Sequence, residues 1–308
     1  MQKSVVILAT LPILGSVRSK LGMVTQALFA QRDFSQLDIL QVLYENLNSA
    51  SRAPFNDSAF FSGISLREIV IRFRRSTLQI FKLLLLGKRV LFFGHKVERL
   101  SAYQYGFISM VPQLQMHLED VGSPLLENPA PQSIEPEMTD DEKGSRRASI
   151  ALYKSKMLQL GHPLCLFGKG AFFQPYVPLQ QMDVLTSPDT KSFLVGSSNA
   201  IFIKHKACAI DVVVNIDTGL LDIQDKSLVP LLTLTPADSK FIDALIKPVS
   251  TNWTPENDMS QNQQIEYEGS DDDIRAHFEV YLTQLLCSVE AVAPPAGADG
   301  VGMFILTQ

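Results

Sequence analysis

Residues Leu66 to Gly94 read LREIVIRFRRSTLQIFKLLLLGKRVLFFG, and this stretch decides the fold. On a wheel of about 100° per residue, Leu66, Ile69, Val70, Phe73, Thr77, Ile80, Phe81 and Leu84 fall within one arc about 120° wide. Arg67, Glu68, Arg72, Arg75, Gln79 and Lys82 lie on the other side. The spacing predicts one long helix over 66–84. Ser65 is placed to cap its start, with Glu68 as the capping-box partner three residues on. Gly87 suits the left-handed position that ends helices, and Lys88 and Arg89 suit the negative end of the helix dipole. Val90, Leu91, Phe92 and Phe93 then follow without alternation, the pattern of a strand covered on both faces. A helix feeding such a strand predicts an α/β fold with a central, helix-covered sheet. The apolar run is not a membrane span. Lys82, Lys88 and Arg89 cut it well short of the ~20 residues a span needs.

The 308-residue chain carries a net charge of −5 and is 46% hydrophobic, enough apolar material for one large domain or two smaller ones. With no basic excess, nucleic acid is not expected as a partner. Three scattered cysteines, Cys165, Cys208 and Cys287, fit a reduced, cytoplasmic setting and offer no zinc-ligand spacing. Lys3 followed by VVILATLPILG imitates a signal peptide. Ser16, Arg18 and Lys20 follow at once and no A-x-A site appears, so residues 4–11 are expected as a buried strand.

Outward from the central stretch, Arg18 to Ala30 carry helical spacing, and Asp33 or Ser35 is placed to cap a second helix through Leu47. Residues 49–64 read as a linker between two lobes. Residues 97–111 read as a helix ended by Pro112. Residues 122–155 are rich in proline and acid and read as a disordered insertion. It ends in Arg146-Arg147-Ala148-Ser149, which makes Ser149 a candidate phosphosite. Residues 163–186 are expected to cross a sheet edge in extended form. Phe193–Val195, Ala200–Lys204 and Asp211–Ile216 read as strands, the last joined to Leu220–Ile223 by a three-residue turn at Asp217-Thr218-Gly219. Pro236 opens a helix to about Lys247, 249–269 read as polar linker, and Ser270 with three aspartates starts a helix to about Val289.

Reaction chemistry finds little support. Gly168-Lys169-Gly170 lacks the frame of a phosphate loop. Gly196-Ser197-Ser198 lacks the frame of a nucleophile elbow. The five histidines are dispersed, and Asp271 to Asp273 serve best as helix-capping charge. No catalytic residue, cofactor or metal is expected. The basic helix face of Arg67, Arg72, Arg75 and Lys82 is the one candidate surface, for an acidic partner or for lipid headgroups.

Several segments together resemble the DENN domain family, and within it the late-secretory-pathway transport (Avl) branch. They are QKSVVIL with LGMVTQALFAQRDFSQLDILQVLYENLN, STLQIFKLLLLGKRVLFFG, FGKGAFFQPYVPLQQMDVL with TKSFLVGSSNAIF, and SDDDIRAHFEVYLTQLL. The resemblance implies a longin-like N-terminal lobe, here partial, over 1–56, and a DENN α/β lobe over 57–292, with a loose tail over 293–308. Compared with the family, the N-terminal lobe reads as truncated to one strand and two helices, and the C-terminus stops at an apolar run. Such a chain alone is expected to bind a partner weakly. The resemblance further implies a guanine-nucleotide exchange factor for a Rab-class small GTPase, acting by contact without covalent chemistry. The alternative is a trafficking scaffold that keeps the fold without exchange activity. Either would be cytoplasmic, or peripheral on Golgi, endosomal or secretory-vesicle membranes, with no transmembrane span.

Overall fold

The computed structural model describes residues 4–8, 14–51, 64–118, 120–125, 164–253 and 267–292. They fall into two compact units, Met1–Ile64 and Ser65–Gln308. In the first, α1 (Leu14–Gln31) packs on α2 (Asp38–Ser51). Leu28 and Leu43 are buried, and the Phe29 ring meets Phe34 edge-on at 5.4 Å. Two expectations are corrected here. Residues 4–8 form no strand and Leu8 is 95% exposed, because no described strand lies alongside to take their hydrogen bonds. Asp33 does not cap α2. Its carboxylate accepts the Ser35 N–H at 3.0 Å and the Ser35 hydroxyl at 2.6 Å, closing a local turn, and the helix starts at Asp38.

In the second unit the expected single helix over 66–84 is two. Helix α3 (Leu66–Phe73) ends at Arg74, which sits at φ 48°, and α4 (Ser76–Leu85) starts after Arg75. The apolar stripe continues through the break, so periodicity alone cannot reveal it. Ser65 caps α3 as expected, its hydroxyl accepting the Glu68 N–H at 3.1 Å. The end of α4 is a Schellman motif. Gly87 at φ 55° gives its N–H to Leu84, and Lys88 gives its N–H to Leu83.

Strand β1 (Arg89–Phe93) follows, then α5 (Val97–Ser109), β2 (Ala171–Gln174), α6 (Met182–Thr186), β3 (Ser192–Ser197), α7 (Ile201–Lys204), β4 (Val212–Asn215) and β5 (Leu220–Ile223). Among the described residues these strands make a five-stranded sheet in the order β2-β3-β1-β4-β5. Strands β2, β3, β1 and β4 are parallel, and β5 is antiparallel to β4. The chain is therefore α/β with β1 at the centre. Residues 171–174 of the expected extended stretch are the edge strand, whereas 182–186 coil into α6. Residues 201–204, expected as a strand, are helical: the Asn199 side chain takes the Ile201 N–H at 2.9 Å and starts a turn. The β4–β5 connection is four residues, Ile216–Gly219, because Asn215 pairs with Leu220.

Alternate β1 side chains enter two cores. Phe92 meets Phe107 of α5 at 5.8 Å, and Phe107 meets Phe73 of α3 at 6.0 Å. Leu91 on the opposite face joins Phe172, Phe193, Val195, Phe202 and Cys208. The remaining long helices, α9 (Pro236–Asn252) and α10 (Asp271–Val292), follow the five-residue α8 (Leu228–Leu232). Helix α9 passes through Pro248 to Asn252, beyond its expected end, and Val249 is wholly buried in the added turn. Residues 122–125, the described part of 122–155, run beside β2: the Gly122 carbonyl accepts from the Gln174 side chain at 3.1 Å, and the Pro124 carbonyl accepts the Gly170 N–H at 3.2 Å. The rest of that expected insertion and the expected loose tail over 293–308 lie outside the described residues.

One carboxylate ties three helices together. Asp238 accepts from Lys82 of α4 at 2.6 Å and from the Tyr281 hydroxyl of α10 at 2.7 Å, and it closes a capping box with Thr235 at the start of α9. Burial pushes its pKa up, but Lys82 and the Thr235 and Tyr281 hydrogen bonds outweigh that and hold it below the usual carboxylate range. The Phe81 and Phe278 rings, 4.8 Å apart, pack α4 on α10.

Two outcomes follow from these contacts. Asp238→Asn strands the Lys82 ammonium and is expected to cost about 2–3 kcal/mol at neutral pH. Because the folded-state pKa is depressed, this stability is present above the unfolded pKa of about 3.9 and is lost as pH falls through the folded value. The gap between wild type and variant, read from urea midpoints, therefore narrows below about pH 4. Arg74→Gly removes a side chain from a left-handed backbone and is expected to raise the urea midpoint, a gain on the order of 1 kcal/mol. Arg75→Gly, at an ordinary helical φ of −61°, should lower it.

Candidate docking site

In parallel sheets, ligand sites form outside the carboxyl ends of strands where the chain leaves in opposite directions. That point here lies between β1 and β4: β1 leads away to β2 at one edge, and β4 leads to β5 at the other. Gly94 and His95 leave β1, and Ile216 and Asp217 leave β4. The crevice between them is closed. A Cβ on Gly94 would fall 2.3 Å from the Ile216 side chain, so glycine is required there for that side chain to seal the gap.

Above the seal is a polar surface. The Nδ1 of His95 lies 2.7 Å from an Asp217 carboxylate oxygen that also accepts the His95 backbone N–H at 3.1 Å. The His95 side chain is 83% exposed. Arg72 of α3 donates to the Asp217 carbonyl at 3.0 Å. Glu68 accepts the Tyr103 hydroxyl at 2.7 Å and pairs with Arg99 at 3.2 Å. The Asn215 side chain accepts the N–H groups of Asp217 and Thr218, each at 3.0 Å, and so shapes the turn. Gly219, at φ 75°, brings that turn against α3, where a Cβ would lie 2.5 Å from the Arg72 carbonyl. Val97 and Leu220 follow the two strand ends and are exposed apolar groups on this edge.

The charges follow from these contacts. The His95 hydrogen bond holds the Asp217 carboxyl below its usual range, against a smaller upward push from burial. Burial first, and then the Glu68 hydrogen bond, push the Tyr103 phenol above its usual value. Such an edge offers an exposed, charged face with apolar spots, suited to another macromolecule's surface. A small substrate would need a cleft.

The basic helix face expected from the sequence is placed differently. Arg67 is buried, with Nη1 2.6 Å from the Tyr267 hydroxyl and Nε 3.4 Å from Asp271. Arg72 holds the Asp217 carbonyl, Arg75 pairs with Asp243 through Nε at 2.9 Å, and Lys82 holds Asp238. The structure brings no two of these four cations onto a shared carboxylate. Each is matched by a separate group of the same chain. Ser149 lies outside the described residues. The sequence reading missed His95, Asp217, Glu68, Arg99 and Tyr103 as a group. Their available signal was the polar residues just after two apolar strands, but without strand order nothing joins position 95 to position 217. Among the described residues no group of three or more His, Cys, Asp or Glu side chains is arranged to hold a metal, and no helix is long and apolar enough to cross a membrane.

Known proteins resemble the chain over most of its length. The family model described as Transport protein Avl9 matches residues 1–289. The chain is 39% identical over 293 residues to the late secretory pathway protein AVL9 of Saccharomyces cerevisiae, which covers 94% of the chain and 37% of that protein. It is 32% identical over 289 residues to the late secretory pathway protein avl9 of Schizosaccharomyces pombe, covering 94% of the chain and 57% of that protein. The chain thus spans only part of the length of either curated relative.

An NMR titration checks the electrostatics of the edge. The Asp217 carboxyl is expected to titrate below the usual aspartate value of about 3.9, and His95→Ala should move it back toward that value. An unchanged Asp217 titration in the variant would remove His95 as the cause.

Proposed function

The chain belongs to the Avl9 transport-protein family, and from that premise we propose that it is a vesicle-trafficking protein of the late secretory pathway, built on a DENN-type lobe. It acts as a guanine-nucleotide exchange factor for a Rab-class small GTPase. The pathway is supported by the names of the two yeast relatives. The proposal carries with it a longin-like lobe over 1–56 and a DENN α/β lobe over 57–292, working peripherally on Golgi, endosomal or secretory-vesicle membranes.

The observation that carries the partner class is the closed crevice. With Ile216 seated against Gly94, the space between the strand ends is filled, and His95, Asp217, Val97 and Leu220 lie around it. A GTPase needs nothing more reactive than a surface. Exchange follows when one protein binds the nucleotide-free GTPase better than the loaded one, because that difference in affinity lowers the nucleotide's own affinity by the same factor. The contact must be large, about 1,600 Å² in total for a stable complex, so the edge is one part of the interface. Apolar groups at its centre carry most of the energy, and rim charges such as His95 and Asp217 set orientation and approach rate.

The test is release of a fluorescent GDP analogue from a panel of Rab proteins by the full-length protein. At least one member is expected to release on the order of tenfold faster, a barrier change of about 1.4 kcal/mol. Leu220→Asp should abolish most of that gain while leaving the folded state intact, since Leu220 is 67% exposed. Rab binding without faster release would instead support a trafficking scaffold that keeps the fold, and neither binding nor release would sink the proposal.

A further inference from the structure

The crossover from β3 to β4 covers the face of the sheet opposite α5. Phe202 and Cys208 are wholly buried in the Leu91 cluster and fix this corner to the sheet. Ile203 also packs against the cluster, whereas other residues beside it turn outward. Ile201 is 46% exposed, and Lys204, His205 and Lys206 are all exposed. One helical turn holds the arrangement: Asn199 caps Ile201, and the His205 N–H returns to the Ile201 carbonyl at 2.9 Å. Ile201 and Lys204 are three residues apart on that turn and so share a side.

Within the corner's own segment the ionisable side chains are basic, with Asp189 and Asp211 just outside it. From Thr190 to Ile210 the sequence holds Lys191, Lys204, His205 and Lys206 and no aspartate or glutamate. Among the described residues Lys204 and Lys206 enter no ion pair, whereas Lys82, Arg75, Arg89 and Arg99 each hold a carboxylate. Helix α6 packs against the 3₁₀ turn Lys206–Cys208, and its exposed Asp183 pairs with neither lysine.

We propose that this corner is a membrane contact, which presses Ile201 into the headgroup layer of an anionic leaflet and lays Lys204 and Lys206 on its phosphates. The chemistry favours a bilayer over an acidic protein. Protein hot spots draw on Trp, Tyr and Arg in desolvated pockets. Here an aliphatic tip is flanked by lysines, which act as point charges without the planar fork that reads a fixed carboxylate. A fluid layer of anionic lipid needs only such charges at close range, together with apolar area to insert. The inference rests on the trafficking reading only in expecting a membrane nearby. Vesicle binding and nucleotide release are separate measurements, so either can fail while the other stands.

The test uses full-length protein and vesicles of phosphatidylcholine with or without phosphatidylserine. Binding is expected with phosphatidylserine and should fall steeply with added salt. Each lysine near an anionic surface is worth roughly fivefold in binding, so Lys204→Glu with Lys206→Glu should weaken it by about 25-fold or more. Ile201→Ser should weaken it by a further few-fold. Lys240→Glu with Lys247→Glu, on exposed positions of α9, should leave it unchanged. Unchanged thermal midpoints would show that every variant is folded. Three results would overturn the proposal: equal binding to both vesicle types, equal loss in the α9 control, or a loss confined to binding of immobilised polyglutamate. The last would assign the corner to an acidic protein.

Discussion

Strand β1 is held on four sides, and the rest of the second unit is arranged to supply those sides. Its two edges hydrogen-bond to β3 and β4, and its two faces carry Leu91 and Phe92 into separate cores. A five-residue strand enclosed in this way tolerates no charge between its ends, which is why the sequence there is VLFF without alternation. Enclosure also fixes the register. A slip of one residue would exchange the Leu91 and Phe92 faces and place each against a core shaped for the other. Arg89 marks where enclosure stops. Its side chain and backbone N–H both reach Asp211, so the entry of β1 is clamped to the entry of β4 by a carboxylate that is itself buried.

What the sequence could show was whatever is written in neighbouring residues. The Ser65 cap, the Gly87 stop, the β1 run, the Thr235-Pro236 start and the β4–β5 hairpin all depend on positions a few residues apart, and each is present. What it could not show depends on distant residues. The apolar stripe from Leu66 to Leu84 is continuous, so a helix break at Arg74 leaves no trace in the pattern. The break coincides with the Gly219 turn pressing on the Arg72 carbonyl from 145 residues away by the Arg72–Asp217 bond. The four-residue run at 201–204 was apolar enough for a strand, and the Asn199 cap decided otherwise. Residues 4–8 have strand-like composition, but composition supplies only half of a strand, and a described partner is missing.

The same limit governed the charges. A helical wheel sorts residues into inside and outside as if the helix had one neighbour. Helices α3 and α4 have several, and the polar side predicted for Arg67, Arg72, Arg75 and Lys82 meets Asp271, the Asp217 turn, Asp243 and Asp238. Those three carboxylates and one backbone carbonyl sit more than a hundred residues later in the chain. A cation on the polar side of an interior helix of an α/β unit is therefore as much a joint between elements as a surface for a partner. The residues that remain available to a partner are those whose charge finds no mate inside.

That distinction gives the two faces of the sheet different parts to play. The Phe92 face is covered by helices on which Arg67, Arg72, Lys82 and Arg99 are each spent on a group of the same unit, and Asp238 alone joins three helices. The Leu91 face is covered by α6, α7 and a 3₁₀ turn, each of five residues or fewer. Elements so short cannot form helices that stand alone, and they persist because Phe202, Cys208 and Leu185 are buried beneath them. Their outward residues contribute little to that burial, and so sequence there is free to serve contact with something else. A thin, well-anchored layer with unmatched lysines on its outside is where a peripheral protein can meet a charged surface without unsettling its own sheet.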